Sequence, residues 1–195
     1  MKLRHTESNG CITVTIPQRS GKYIDEMLRC ICLSDLLTLK LFPNAKEITE
    51  SFAAYCAVRT YCKELMFNDP TIRLVDVACG HAPRTAAVFA FRTKWQCIAI
   101  DPALSKTQYN VKRLTCYKSK IEDLELPYHH GITVITAVHA HIPLPIILDI
   151  IKSDKIVLIA IPCCRPLELF AIPDIEYEDF GIWSDKRLIK IWKAL

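Results

Sequence analysis

The chain has 195 residues, enough for one domain with a small extension. Its 25 basic and 21 acidic residues leave a formal net charge of +4, too mild to imply nucleic acid by itself. Hydrophobic residues make up 51% and charged residues 24%, which excludes a disordered chain, and only five glycines argue against glycine-rich phosphate loops and glycine linkers.

Ten cysteines raise the question of disulfides. The stretch from Met1 to Ser8 is polar and no apolar run follows it, so no secretory leader is expected. Free thiols in a reducing compartment, the cytoplasm, are expected instead. Cys30, Cys32, Cys56, Cys62 and Cys97 sit among apolar neighbours and read as small buried hydrophobes. The most apolar stretch, 132–151, contains His139, His141, Pro143, Pro145 and Asp149, so no membrane span is expected.

In chain order, residues 11–16 alternate and are β-branched, which predicts a short strand or extended arm ended by Pro17. Apolar residues recur at helical spacing from Tyr23 to Leu41 and again from Lys46 to Phe67. Asn68-Asp69-Pro70 is a stop signal. Residues 1–70 are therefore expected to form an N-terminal arm and helical cap, and residues 71–195 a separate domain.

From residue 72 the rhythm changes. Strands are expected at 72–78, 96–100, 113–117, 132–138 and 155–161, with helices at 83–92 and 144–151 and a short helix around 105–110. Pro83 suits a first helical turn. Several strands are continuously apolar and alternate with helices. That predicts an α/β, Rossmann-like fold with a mostly parallel sheet covered on both faces. Ile175–Tyr177 and Arg187–Trp192 predict an antiparallel C-terminal edge.

Such sheets bind ligands outside the carboxyl ends of their strands. After the first strand comes Val75-Asp-Val-Ala-Cys-Gly-His-Ala-Pro-Arg84. After the second comes Asp101, 21 residues beyond Gly80, where an acid can accept from both hydroxyls of a ribose. A dinucleotide pyrophosphate asks for three glycines in the turn. This turn has Gly80 alone, flanked by Ala78 and Ala82, so the chemistry favours S-adenosylmethionine over a dinucleotide.

With Val-Asp-Val-Ala-Cys-Gly-His (75–81), Ile-Ala-Ile-Asp-Pro (98–102) and the tail 181–192, the chain resembles the class I S-adenosylmethionine-dependent methyltransferases over residues 71–195. The resemblance implies that Asp76, Ala78, Gly80 and His81 serve the methionine end, and Asp101 and Pro102 the ribose. Ile121 and Glu122 would meet the adenine, with His139 also at the cofactor. Lys120 stands where the family often has an acid.

Val138-His-Ala-His-Ile-Pro143 and Ile161-Pro-Cys-Cys-Arg165 close two strands. This pairing resembles a branch that includes tRNA 2′-O-methyltransferase-like proteins. The resemblance implies RNA as substrate, with a small molecule next, and Pro162, Cys163 and Cys164 at the substrate. His139 and His141 are the candidate general bases. A protein partner is possible but nothing points to one. Cys79, His81, His139, His141, Cys163 and Cys164 all sit at strand ends, but their spacing matches no zinc module, and no metal is expected. Lys106, Lys112, Arg113, Lys118 and Lys120 form an acid-free stretch able to guide an acidic substrate. A non-catalytic protein that binds S-adenosylmethionine or a partner is the alternative.

Overall fold

The computed structural model describes residues 4–8, 11–15, 21–163 and 171–195. Strands β1 (Arg4–Ser8) and β2 (Cys11–Thr15) pair antiparallel, with Ser8 opposite Cys11. The expected arm is thus one half of a hairpin. The helix expected over 23–41 is two helices, α1 (Lys22–Leu28) and α2 (Leu33–Thr38). Helix α3 (Ala45–Tyr61) starts at Asn44, whose side chain accepts from the Glu47 amide at 3.1 Å. It ends six residues short of the predicted Phe67.

Among the described residues, seven further strands form one sheet in the order β5-β4-β3-β6-β7-β9-β8. They are β3 (Arg73–Val77), β4 (Gln96–Ile100), β5 (Leu114–Tyr117), β6 (His129–Val138), β7 (Ser153–Ile161), β8 (Ile175–Glu178) and β9 (Leu188–Trp192). β3 to β7 run parallel, and β9 pairs antiparallel with both β7 and β8. This is the expected Rossmann-like α/β architecture with an antiparallel C-terminal edge. Helix α4 (Arg84–Arg92) joins β3 to β4, and α5 (Leu144–Ile150) joins β6 to β7. No helix forms at 105–110. Those residues are loop, and a 3-10 turn at Ile121–Asp123 follows β5 instead.

The parity of the strands explains both layers. Leu74, Val134, Val157, Ile159 and Ile161 face one way and pack with α3 and α4. Val75, Val77, Ile135, Ala137, Leu158 and Ala160 face the other way and pack with α5. Both sets need an apolar cover, so these strands read as unbroken hydrophobic runs. Every residue of α3 from Thr49 to Val58 is buried, because the sheet and α4 lie on one side and α1 on another. α3, read as part of a cap, therefore shares the apolar core of the sheet. Each large side chain placed there, such as Phe52 or Phe89, contributes roughly 1.5–3 kcal/mol.

Two latches tie α1 to the rest. The Tyr23 hydroxyl donates to Asp179 in the turn between β8 and β9, and both are buried. Glu26 accepts from Arg59 of α3 at 2.7 Å and from Arg92 of α4 at 3.0 Å. Among the described residues, no helix is long and apolar enough to cross a membrane. The eight described cysteines are free, and Cys30, Cys56, Cys62, Cys97 and Cys116 are buried.

Candidate functional site

The chain runs left from β3 to β4 and β5, then returns to β6 on the right. The carboxyl ends of β3 and β6 therefore flank the switch point, where such a sheet opens a crevice. Both ends turn sharply. Ala78 and His139, each directly after its strand, have φ of 54° and 53°, and Gly80 has φ of 74°. A left-handed non-glycine residue costs about 1 kcal/mol, and two sit side by side at the crevice.

Two clefts meet there. The outer one, about 290 Å³, runs over the ends of β3, β4 and β5 and is bounded by Ile100, Asp101, Pro102, Ile121 and Glu122. The inner one, about 540 Å³, lies under the first turns of α3 and α4 and reaches Cys163 at the end of β7. Ala78 and His141 line both clefts and form the passage between them.

Asp101 is held by two backbone donors. It accepts from the Gly80 amide at 2.8 Å and from the Ala103 amide at 2.6 Å. A carboxylate has about four acceptor positions, so capacity remains for a ligand in the outer cleft. A Cβ built on Gly80 would meet nothing within 4 Å, so the loop faces open space. His81 lies on the inner cleft with Nδ1 at 3.0 Å from the Ala103 carbonyl.

Asp76 borders the inner cleft but turns its carboxylate inward. It accepts from Thr136 Oγ1, its register partner on β6, at 2.8 Å and from the Ala86 amide in the first turn of α4 at 3.1 Å. Burial pushes its pKa up to about 7 against these hydrogen bonds. Asp76 thus ties β3, β6 and α4 together at the wall of the inner cleft.

His139 projects into the inner cleft, and its Nε2 lies 2.7 Å from Glu50 Oε1. Glu50 is buried, which opposes its ionisation. The hydrogen bond and charge of His139, and Lys46 at 3.2 Å, outweigh burial and hold its carboxyl below the usual range. An ionised Glu50 only accepts, so His139 donates to it through Nε2–H. Its Nδ1 is buried without a partner. His141 is exposed, and its Nε2 lies 3.0 Å from Cys163 Sγ. Pro162 is half-buried and lines neither cleft. Cys164 lies outside the described residues.

The remaining wall of the inner cleft includes residues that the sequence does not single out for a role. Lys46, Glu47, Glu50 and Ser51 come from α3, Arg84 and Thr85 from α4, and Lys186 from the loop before β9. Arg84 donates to the Leu41 carbonyl at 2.9 Å and pairs with Glu47 at 3.5 Å. The three-and-four spacing of 46, 47, 50 and 51 marks one helix face. Nothing in the sequence says that this face meets the end of β6. One residue of the basic stretch has a structural task, and Lys120 lines the outer cleft. Arg113 donates to the Ala90 and Thr93 carbonyls at 2.9 and 3.0 Å and pins β5 to α4 rather than facing an incoming acid. Among the described residues, no three His, Cys, Asp or Glu side chains are placed to hold a metal ion.

Fold and site together define a Rossmann-like α/β protein with a two-chambered crevice at the carboxyl edge of its sheet. No protein-family model and no curated protein matches the chain. Solved structures similar to it include a cyclopropane-fatty-acyl-phospholipid synthase-like protein from Lactobacillus casei (15% identity, 72% of this chain and 58% of that one, TM-score 0.46). Another is coclaurine N-methyltransferase bound to N-methylheliamine and SAH (15% identity, 71% of this chain and 45% of that one, TM-score 0.42). A third is the plantazolicin methyltransferase BpumL in complex with SAH (12% identity, 70% and 56%, TM-score 0.39). The chain thus spans less than two thirds of the length of each.

Proposed function

We propose that the chain is an S-adenosylmethionine-dependent methyltransferase acting on a small molecule held in the inner cleft. The observation that carries this reading is the placement of Asp101. It closes β4 beside an apolar slot, and one of its oxygens already anchors the glycine turn.

The residues present fit the cofactor. Asp101 has acceptor capacity for ribose hydroxyls. Ile100 and Ile121 give flat apolar walls for a purine, with Glu122 as a polar neighbour. The open side of Gly80 and the mixed charges of Lys46, Glu47, Arg84 and Lys186 suit a zwitterionic amino-acid end. When bound, the sulfonium would supply an electrophilic methyl group at the passage between the clefts.

The two histidines divide the work. Glu50 fixes His139, and the free nitrogen of His139 is closed off, so His139 positions the wall of the cleft. His141 opens on both clefts and accepts the proton of an O–H or N–H acceptor. Asp76 acts through the turn that it holds. The α3 residues Lys46, Glu47, Glu50 and Ser51 along one side of the inner cleft support a small acceptor. RNA, the substrate implied by the Pro-Cys-Cys resemblance, would have to deliver its acceptor atom past them.

Calorimetry with S-adenosylmethionine and S-adenosylhomocysteine tests the reading. Binding by the wild type and its loss in Asp101→Ala support it. A folded wild type that binds neither sinks it. Methyl label transferred to RNA but to no small-molecule extract would move the substrate to RNA. Binding without turnover would make the chain a non-catalytic binder.

A further inference from the structure

We propose that Cys163 and His141 form a nucleophilic thiol–imidazole pair, and that Cys163 takes one methyl group from the cofactor when no acceptor fills the inner cleft. The methyl step rests on the cofactor reading above.

The pair stands on geometry. Cys163 Sγ lies 3.0 Å from His141 Nε2, within hydrogen-bond reach for sulfur, and 3.8 Å from the His139 carbonyl. Its position is set by the end of β7, which pairs with β6 up to Ile161 opposite Val138. That register brings the residues after the two strands together. His141 is one of two residues that line both clefts, and Cys163 lines the inner one. A ligand with its nucleoside in the outer cleft and its amino-acid end in the inner one must thread past Ala78 and His141. Ala78 and His141 would then flank its sulfonium, with Cys163 on the inner side of the passage.

Five of the other described cysteines differ in kind. Burial pushes the thiols of Cys56, Cys62 and Cys116 up to about 11, and those of Cys79 and Cys97 higher still. Such thiols stay protonated near neutral pH. Cys163 has an imidazole partner at a cleft.

The step balances without a further reagent. His141 Nε2 takes the thiol proton. The thiolate attacks the methyl carbon, a new carbon–sulfur bond forms on Cys163, and the methyl–sulfonium bond breaks. Its electron pair returns to the leaving sulfur, giving neutral S-adenosylhomocysteine and S-methylcysteine at position 163. A thioether is a poor leaving group, so the modification happens once per chain and a bound acceptor competes with it.

The test has two readouts on the full chain. In cofactor-free protein, iodoacetamide should alkylate Cys163 at least about tenfold faster than the buried cysteines, and His141→Ala should remove that lead. With isotope-labelled S-adenosylmethionine, tandem mass spectrometry should place one labelled methyl group on Cys163, absent in Cys163→Ser. Alkylation of Cys163 no faster than that of the buried thiols overturns the pair. Cofactor binding with no methyl on Cys163, or with methyl on another residue, overturns the self-methylation and leaves the proposed function standing. Fast alkylation with no cofactor binding overturns the proposed function, and the methyl step falls with it.

Discussion

Glu50 Oε1 lies 2.7 Å from His139 Nε2, and this bond joins the first half of the chain to the crevice of the sheet. Glu50→Ala should leave a buried imidazole N–H without an acceptor, at a cost of roughly 1–3 kcal/mol. Glu50→Gln keeps an acceptor oxygen and should lose clearly less. Urea unfolding of both variants separates the cases. Equal losses would mean that packing, not the hydrogen bond, secures the helix.

Asp101 serves two amide donors now and a ribose in the proposed complex. Asp101→Asn keeps one acceptor oxygen and replaces the other with a donor that faces an N–H. Affinity for S-adenosylhomocysteine should fall at least about tenfold, the equivalent of about 1.4 kcal/mol. Calorimetry reads this directly. Unchanged affinity would place the nucleoside elsewhere.

Asp76 gives a pH dependence with a defined sign. Its pKa is raised from 3.8 to about 7 by burial. The folded state thus keeps a proton that the unfolded state releases. The stability linked to it is fully present below about pH 4, falls as the pH rises to about 7, and is constant above. The size is of order 4 kcal/mol. Asp76→Asn cannot titrate, so wild-type minus variant stability should decline across that window in urea titrations. A flat difference would mean that the ionised carboxylate is well accommodated.

Gly181 is a steric requirement and not a conformational one. A Cβ there would come within 2.8 Å of Tyr23 Cε2 and 3.0 Å of Asp179 Oδ1. The ring cannot retreat, because its hydroxyl is bonded to Asp179. Gly181→Ala should cost about 1–3 kcal/mol. The penalty should shrink in a Tyr23→Leu background, where a smaller side chain leaves room. Thermal melts of the single and double variants give the coupling.

Much of this was legible in the sequence, for identifiable reasons. The parallel strands announce themselves because they are buried on both faces, and Asp101 because its distance from Gly80 is set by one β-α-β unit. The helical pattern over 23–41 hid a break because Cys30, Ile31 and Cys32 keep the apolar rhythm through the turn between α1 and α2. Strand β1 was missed because its five residues, Arg4–Ser8, are mostly polar, although Asn9-Gly10 is a favoured hairpin dipeptide. Glu50 and Lys46 were not legible as site residues at all. A helix face carries no label for the sheet it will meet, and that partnership is a property of the tertiary fold. Asp76 was legible by its motif position, but its bonds to Thr136 and Ala86 were not, because they depend on the register of β3 with β6 and on the seat of α4.

The strand order at the C-terminal edge also dictates a sequence of events. β8 precedes β9 in the chain, yet in the sheet it touches β9 and stands two places out from β7. Its attachment to the sheet runs through β9. The Tyr23 hydroxyl in turn waits for the β8–β9 turn to bring Asp179 to it, across a separation of 156 residues. Of the two latches on α1, Tyr23–Asp179 spans 156 residues, whereas Glu26 reaches Arg59 across 33, and the longer loop is therefore the slower to close. Refolding followed at Trp192 should lag behind refolding followed at Trp95 in the central core.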